Sequence, residues 1–279
     1  MRQSASDFLA SPHKRITLMG MSGVGKTRLA NILRAAGWFH YSVDYRIGTR
    51  YLDESILDNI KRQAMSVPFL RDLLLSDSIY ISNNITFDNL QPLSTWLGKL
   101  GDPALGGLTL NEFKRRQALH LQAETAAVED VADFIEKAID IYGYSHFLND
   151  VSGSLCELDD PRILQQLADQ TLIIYLQADA DDEQHLIRQA AAHPKPLYYR
   201  ESFLDEQLAS YMQEHEIDYV ALVKPDDFVR WVFPKLFYSR IPRYEAIADE
   251  HGYRVAARDA LAVNSEAAFL DLIGEALDG

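Results

Sequence analysis

Residues Ile16 to Thr27 read ITLMGMSGVGKT, with Gly20, Gly25, Lys26 and Thr27 in G-x-x-x-x-G-K-T spacing. Glycines at these places let the backbone curl so that successive N–H groups point inward at phosphate oxygens, and the following helix adds its positive end. A lysine so placed reaches the β- and γ-phosphates, and the threonine hydroxyl is a ligand for Mg²⁺. The flanks agree with this reading. Ile16–Met19 is apolar and strand-like, while Thr27–Ala36 (TRLANILRAA) is amphipathic and stops at Gly37, a helix C-terminal signal. That context separates the stretch from a glycine-rich turn of chance composition. Gly20, Ser22, Gly23, Val24, Gly25, Lys26, Thr27 and Arg28 are therefore the expected nucleotide-binding residues, with ATP and Mg²⁺ as the expected ligands.

The rest of the chain narrows the function classes. It has 279 residues, 47% hydrophobic and 24% charged, long enough for one large α/β domain or a core with a sizeable insertion. A formal net charge of −14 argues against a general role on DNA, RNA or anionic membranes, which need basic surface. A nucleic-acid-dependent ATPase is disfavoured for the same reason. Cys156 is the only cysteine, so no intrachain disulfide can form, and it reads as a small buried hydrophobe. The opening residues MRQSASDFLASPHKR lack a secretory apolar core, and no apolar run approaches a membrane span, so a cytoplasmic location is expected.

Read in order, residues 1–14 look like a short, poorly constrained arm. Strands are expected at Arg15–Met19, at Trp38–Val43 ending in Asp44, at Ser145–Asn149 ending in Asp150, at Thr171–Gln177, at Tyr219–Val223 and at Tyr253–Ala257. Short helices at Ser55–Ala64 and Pro68–Leu75 and an extended piece at Ile79–Phe87 precede one long helix, Asn111–Tyr142. Asp159-Asp160-Pro161 opens a helix to Asp169. Helices then follow at Asp181–Ala192, Glu201–Glu214 and Asp226–Glu250, the third expected to be kinked or interrupted at Pro234 and Pro242, and Asn264 or Ser265 caps the final helix. The alternation makes the chain an α/β protein with a parallel sheet covered on both faces. Lys114, Arg115 and Arg116 form a charge cluster, either a solvated face or the border of an anionic substrate.

Ligands of open parallel sheets sit beyond the carboxyl ends of the strands, which draws attention to Asp44 and Asp150. Asp150 is the expected partner of Mg²⁺, directly or through water, or else a turn-capping residue ahead of Ser152-Gly153-Ser154. Asp44 is an acceptor-binding or base residue, or a partner for Arg46 or Arg50.

With these residues the chain resembles the shikimate kinase-like branch of the P-loop small-molecule kinases, which includes gluconate kinases. The loop GMSGVGKT is followed by Asp44-Tyr45-Arg46-Ile47, where the family carries D-x-D-x-x-I. Asp44 matches the second Asp of that pattern, which holds acceptor hydroxyls in shikimate kinases, and Ser42 stands in place of the first, metal-associated one. TLIIYLQADADDEQHLIRQAAAHPKPLYY is similar to the family's buried strand, adenine-flanking Arg and mobile lid. The resemblance implies Arg188 beside adenine and Lys195, or a neighbour such as Arg200, as the cation that closes over the phosphates. Arg240-Ile241-Pro242-Arg243-Tyr244 fits R-x-P-x-Y, which implies that Arg240 meets an anionic group of the acceptor; the other reading is a helix-surface salt bridge with Glu245 or Asp249. The family's F-R-x-x-E segment keeps only Glu124, and its Gly-Gly-Gly turn is replaced by Asp150–Ser154, so shikimate itself is not expected as substrate.

The resemblance implies a three-layer α/β/α fold with a parallel five-stranded sheet of P-loop nucleotide-kinase type. Residues 1–50 and 108–279 would form the core, with a lid at about 188–204, and residues 51–107 a mostly helical insertion open to a protein partner. The implied function is ATP-dependent phosphoryl transfer to a small, anionic or neutral hydroxyl acceptor, with Lys26, Asp44 and Lys195 as catalytic residues and Asp44 and Arg240 on the acceptor. The alternative is a nucleotide-binding regulatory or interaction ATPase that no longer phosphorylates an acceptor.

Overall fold

The computed structural model describes residues 4–158 and 160–278. It contains two compact units, one of residues 1–43, 124–194 and 230–279 and one of residues 44–123 and 195–229.

The first unit holds a five-stranded sheet: β1 (Arg15–Met19), β2 (Phe39–Ser42), β3 (Phe147–Asp150), β4 (Leu172–Gln177) and β5 (Gly252–Ala256). All neighbours are parallel, in the order β2-β3-β1-β4-β5. Successive residues of a strand point to opposite faces. In β1, β3 and β4 nearly every residue is buried, so both faces of the sheet are covered, as the continuous apolar runs require. The sheet carries one internal polar ladder, in which Asn149 Nδ2 donates to Thr17 Oγ1 at 3.1 Å and the Thr17 and Thr171 hydroxyls lie 2.7 Å apart. The fold is of the expected α/β class, with the expected parallel five-stranded sheet.

Several elements differ from the sequence reading. The N-terminal arm is a helix, Ala5–Ala10, capped by Ser4 Oγ accepting from Asp7 N–H. Phe8 within it is 1% exposed, so one buried aromatic side chain anchors a segment whose composition looked unconstrained. The long helix ends at Glu129 and restarts at Val131, giving Leu110–Glu129 and Val131–Asp140. Tyr219–Val223 is not a strand but a 3₁₀ turn at Val220–Leu222, with Tyr219 and Leu222 exposed; β-rich composition favours a strand only where a pleated, half-buried surface receives it. Ile79–Phe87 is irregular apart from a bridge between Thr86 and Asn89. Pro234 and Pro242 lie inside a continuous helix, Pro225–His251. Asp160 caps the helix Pro161–Gln170 through Arg162 N–H, while Asp159 lies outside the described residues. Ser265 Oγ accepts from Ala268 N–H at the start of the last helix, Glu266–Asp278.

The second unit is helical, and its centre is Arg116, 5% exposed. Its guanidinium donates to Glu112 at 2.7 Å, to Asn59 at 2.9 Å and to the Trp96 carbonyl. Arg115 bonds Glu112 as well, and Lys114 lies 2.6 Å from Asp205. The basic cluster is thus committed to carboxylates of its own unit: Arg115 and Arg116 pair one helical turn back with Glu112, and only the Lys114 pairs with Glu201 and Asp205 cross distant sequence. The helix Pro68–Leu75 has no buried residue and exposes Phe69 and Leu75. Among the described residues, no helix is long and apolar enough to cross a membrane.

Candidate functional site

The loop after β1 is shaped by three glycines with positive φ: Gly20 at 143°, Gly23 at 96° and Gly25 at 101°. Residues bearing a Cβ are strained there. At Gly20 the space is closed too, since a Cβ would lie 2.8 Å from the Leu176 carbonyl oxygen. Val24, 3% exposed, pins the loop from below, while Ser22, Gly23, Thr27 and Arg28 are exposed. Gly25 starts the helix Lys26–Ala35 in a left-handed conformation, with no side-chain cap and no acidic residue in the first turn. The N–H groups and positive end of that helix therefore meet no competing carboxylate of their own turn, which suits an anion.

Lys26 is 8% exposed, and its ammonium donates to the carbonyls of Gly20 at 2.7 Å and Met21 at 3.1 Å. The cation rests on its own loop. Phosphate oxygens would be stronger acceptors than these neutral carbonyls, because charge-assisted bonds are shorter and stronger.

Asp150 ends β3, in register with Leu18 of β1 and Ser42 of β2. Its Oδ2 accepts from the Thr27 hydroxyl at 3.4 Å and lies 3.9 Å from His40 Nε2. A hydroxyl and a carboxylate are hard oxygen donors of the kind magnesium takes, with water and phosphate filling its remaining positions, so the pair fits that ion. Among the described residues no group of three His, Cys, Asp or Glu side chains could hold a metal by itself. His40 was not singled out by the sequence; only the parallel register puts it near the carboxylate.

Behind the turn after Asp150 lies a buried polar network. The Ser152 and Ser154 hydroxyls both donate to Glu124, which is fully buried. Burial pushes the Glu124 carboxyl upward, against the lowering effect of those hydroxyls. Arg240 is 5% exposed and donates to Glu157 at 2.8 Å and to the Gly153 carbonyl at 2.9 Å. Its partner is therefore a buried carboxylate of the turn region. The proposed surface partners make other contacts: Glu245 accepts from Gln177, and Asp249 from Arg254. The Tyr244 hydroxyl lies within hydrogen-bonding distance of both the Gly153 and the Gly20 carbonyl oxygens, and Cys156, a buried thiol as expected, is pushed up to about 12 by its burial. Glu157 and Tyr244 carried no role in the sequence reading. The one hint was the R-x-P-x-Y spacing, which puts Arg240 and Tyr244 one helical turn apart on a common face.

The remaining expected residues are dispersed. Arg188 is exposed on the helix Ala180–Ala192, whose Leu186 packs against Gly23. Asp44, half-buried in the short helix Val43–Arg46, and the exposed Lys195 belong to the second unit.

The glycine loop joins a central parallel strand to the start of a helix, the strand–loop–helix setting that its G-x-x-x-x-G-K-T spacing calls for. No protein-family model matches the chain, and no curated protein does. Similar solved structures include the shikimate kinase of Bacteroides thetaiotaomicron, 13% identical, with 95% of this chain and 94% of that one covered and a TM-score of 0.41. Another is the shikimate kinase of Acinetobacter baumannii, solved with shikimate, 12% identical, with 96% and 94% covered and a TM-score of 0.34.

Proposed function

We propose that the protein binds ATP with Mg²⁺ and transfers the γ-phosphoryl group to a small hydroxyl acceptor. The observation that carries this reading is Lys26 lying buried on its own loop carbonyls, at the uncapped start of a helix, with Thr27 beside Asp150. Phosphoryl transfer asks a protein chiefly for positioned charge. The loop N–H groups orient the β- and γ-phosphates, and Lys26 exchanges carbonyl acceptors for phosphate oxygens. Thr27 and Asp150 would hold the magnesium, which neutralises charge on the phosphate oxygens when bound. Arg188 beside adenine, Asp44 orienting the acceptor hydroxyl and Lys195 excluding water on closure come from the sequence reading alone. The exposed apolar side chains of Pro68–Leu75 suit a protein partner for the 51–107 region.

One observation favours the regulatory reading instead: Arg240, expected on the acceptor side, bonds to a buried carboxylate of its own chain. ADP release from ATP–Mg²⁺, measured against a panel of small hydroxyl metabolites, separates the two. Acceptor-stimulated release supports transfer. Slow release that no acceptor changes supports the regulatory protein, and absence of ATP binding contradicts both.

A further inference from the structure

Tyr244 has one hydroxyl proton and two carbonyl oxygens within reach. Its hydroxyl lies 2.9 Å from Gly153 O and 3.2 Å from Gly20 O, and a phenol donates only one hydrogen bond at full strength. Each carbonyl also has a second donor. Arg240 Nη1 is 2.9 Å from Gly153 O, and Lys26 Nζ is 2.7 Å from Gly20 O. The groups thus form an unbroken chain from Arg240 through Gly153, Tyr244 and Gly20 to Lys26.

The middle of that chain and its Arg240 end are held by packing and by an ion pair. The Tyr244 ring is fully buried and stacks on Tyr175, with centroids 5.3 Å apart and an interplanar angle of 11°. Arg240 is held in place by Glu157. The turn at Gly153 runs directly against the phosphate loop, where a Cβ would lie 3.2 Å from Ser22 N.

The following step rests on the ATP-binding reading. When Lys26 turns toward a phosphate, the buried Gly20 carbonyl loses its cation, and a buried carbonyl without a donor is costly. Tyr244 is the donor at hand. Its proton can turn from Gly153 O, which keeps Arg240, and from the weakly accepting Cys156 thiol beside it. We propose that Tyr244 is a positioning residue whose hydroxyl takes over the Gly20 carbonyl as Lys26 leaves it for phosphate, tying nucleotide occupancy to the Gly153 turn that follows Asp150. Arg240 is its companion: by serving Gly153 it releases the Tyr244 proton, so its guanidinium acts inside the protein and not on an acceptor.

Tyr244→Phe removes the hydroxyl and keeps the stacked ring. In the unliganded variant Gly20 still has Lys26 and Gly153 still has Arg240, so the melting temperature stays close to wild type. ADP affinity measured by calorimetry falls roughly tenfold, because the bound state now leaves Gly20 unsatisfied. Unchanged ADP affinity overturns the proposal, as does an affinity loss matched by a large fall in the melting temperature of the free protein, the mark of a merely structural hydroxyl. If wild-type protein does not bind ADP, the phosphate-loop reading itself has failed and this proposal falls with it. ADP binding that is equal in wild type and variant removes the Tyr244 role alone.

Discussion

The ammonium of Lys26 lies 2.7 Å from the carbonyl oxygen of Gly20, the residue that opens its own loop. A buried cation parked on neutral carbonyls is a cation that a phosphate can recruit at little cost. Replacing Lys26 with Met keeps the aliphatic stem and removes the charge. ADP affinity should fall by roughly a hundredfold, since bonds to charged groups carry about 1.5–3 kcal/mol each. Calorimetry on wild type and variant checks this, and unchanged affinity would remove the loop from the nucleotide site.

Asp150 and Thr27 share one hydrogen bond at 3.4 Å. Asp150→Asn keeps the shape and the β3 register but withdraws the charge that suits a divalent cation. The Mg²⁺ concentration giving half-maximal ADP release should rise, with metal-free nucleotide affinity little changed. A Mg²⁺ titration reads this directly. An unchanged midpoint would leave Asp150 as a residue that only organises its turn.

Arg240 and Glu157 form a pair 2.8 Å apart with side chains 6% and 3% exposed. Removing one partner strands the other, at a cost of about 3–5 kcal/mol, whereas replacing both with apolar residues leaves no uncompensated charge. Glu157→Met should therefore destabilise strongly, and the Glu157→Met, Arg240→Met double variant should lose less than the two single variants summed. Denaturant unfolding of all four proteins checks it. Additive losses would mean that the pair is not coupled in solution.

How far the sequence foretold these contacts depends on how local their causes are. β1 falls on Arg15–Met19 as read, and the loop's glycines take the positive φ values that its spacing requires, because both are written within a dozen residues. Asp150 is at a strand end as expected, since an apolar run followed by a carboxylate marks that boundary. The pairing of Arg240 with Glu157 was not foreseen because it spans 83 positions and a turn, and no helix-local spacing contains it. His40 near Asp150 is set by which strands pair, and the N-terminal helix is set by the burial of one phenylalanine. Tertiary neighbours decided these, and no periodicity in the chain encodes them.

Glu112 supplies a pH dependence for the second unit. Its carboxyl is held at about 2 instead of the ordinary 4.5, chiefly by its hydrogen bond with Arg115, and Arg116 bonds it too. A carboxyl with a lowered folded-state pKa contributes stability above its unfolded value, and that stability is lost as pH falls through the folded value. Stability should thus decline from about pH 4.5 toward about pH 2, and Glu112→Gln should flatten that decline. Unfolding free energies measured across this range in both proteins provide the check; equal slopes would show that the Arg115 bond does not persist in solution.

The most direct test of phosphoryl transfer follows the γ-phosphoryl group itself. ATP labelled at the γ-phosphorus is incubated with Mg²⁺, the protein and a pool of small hydroxyl metabolites, beside the Lys26→Met variant. Label is expected on a small organic molecule with wild type and on none with the variant. Label found only as inorganic phosphate, or transfer that persists without Lys26, would contradict it.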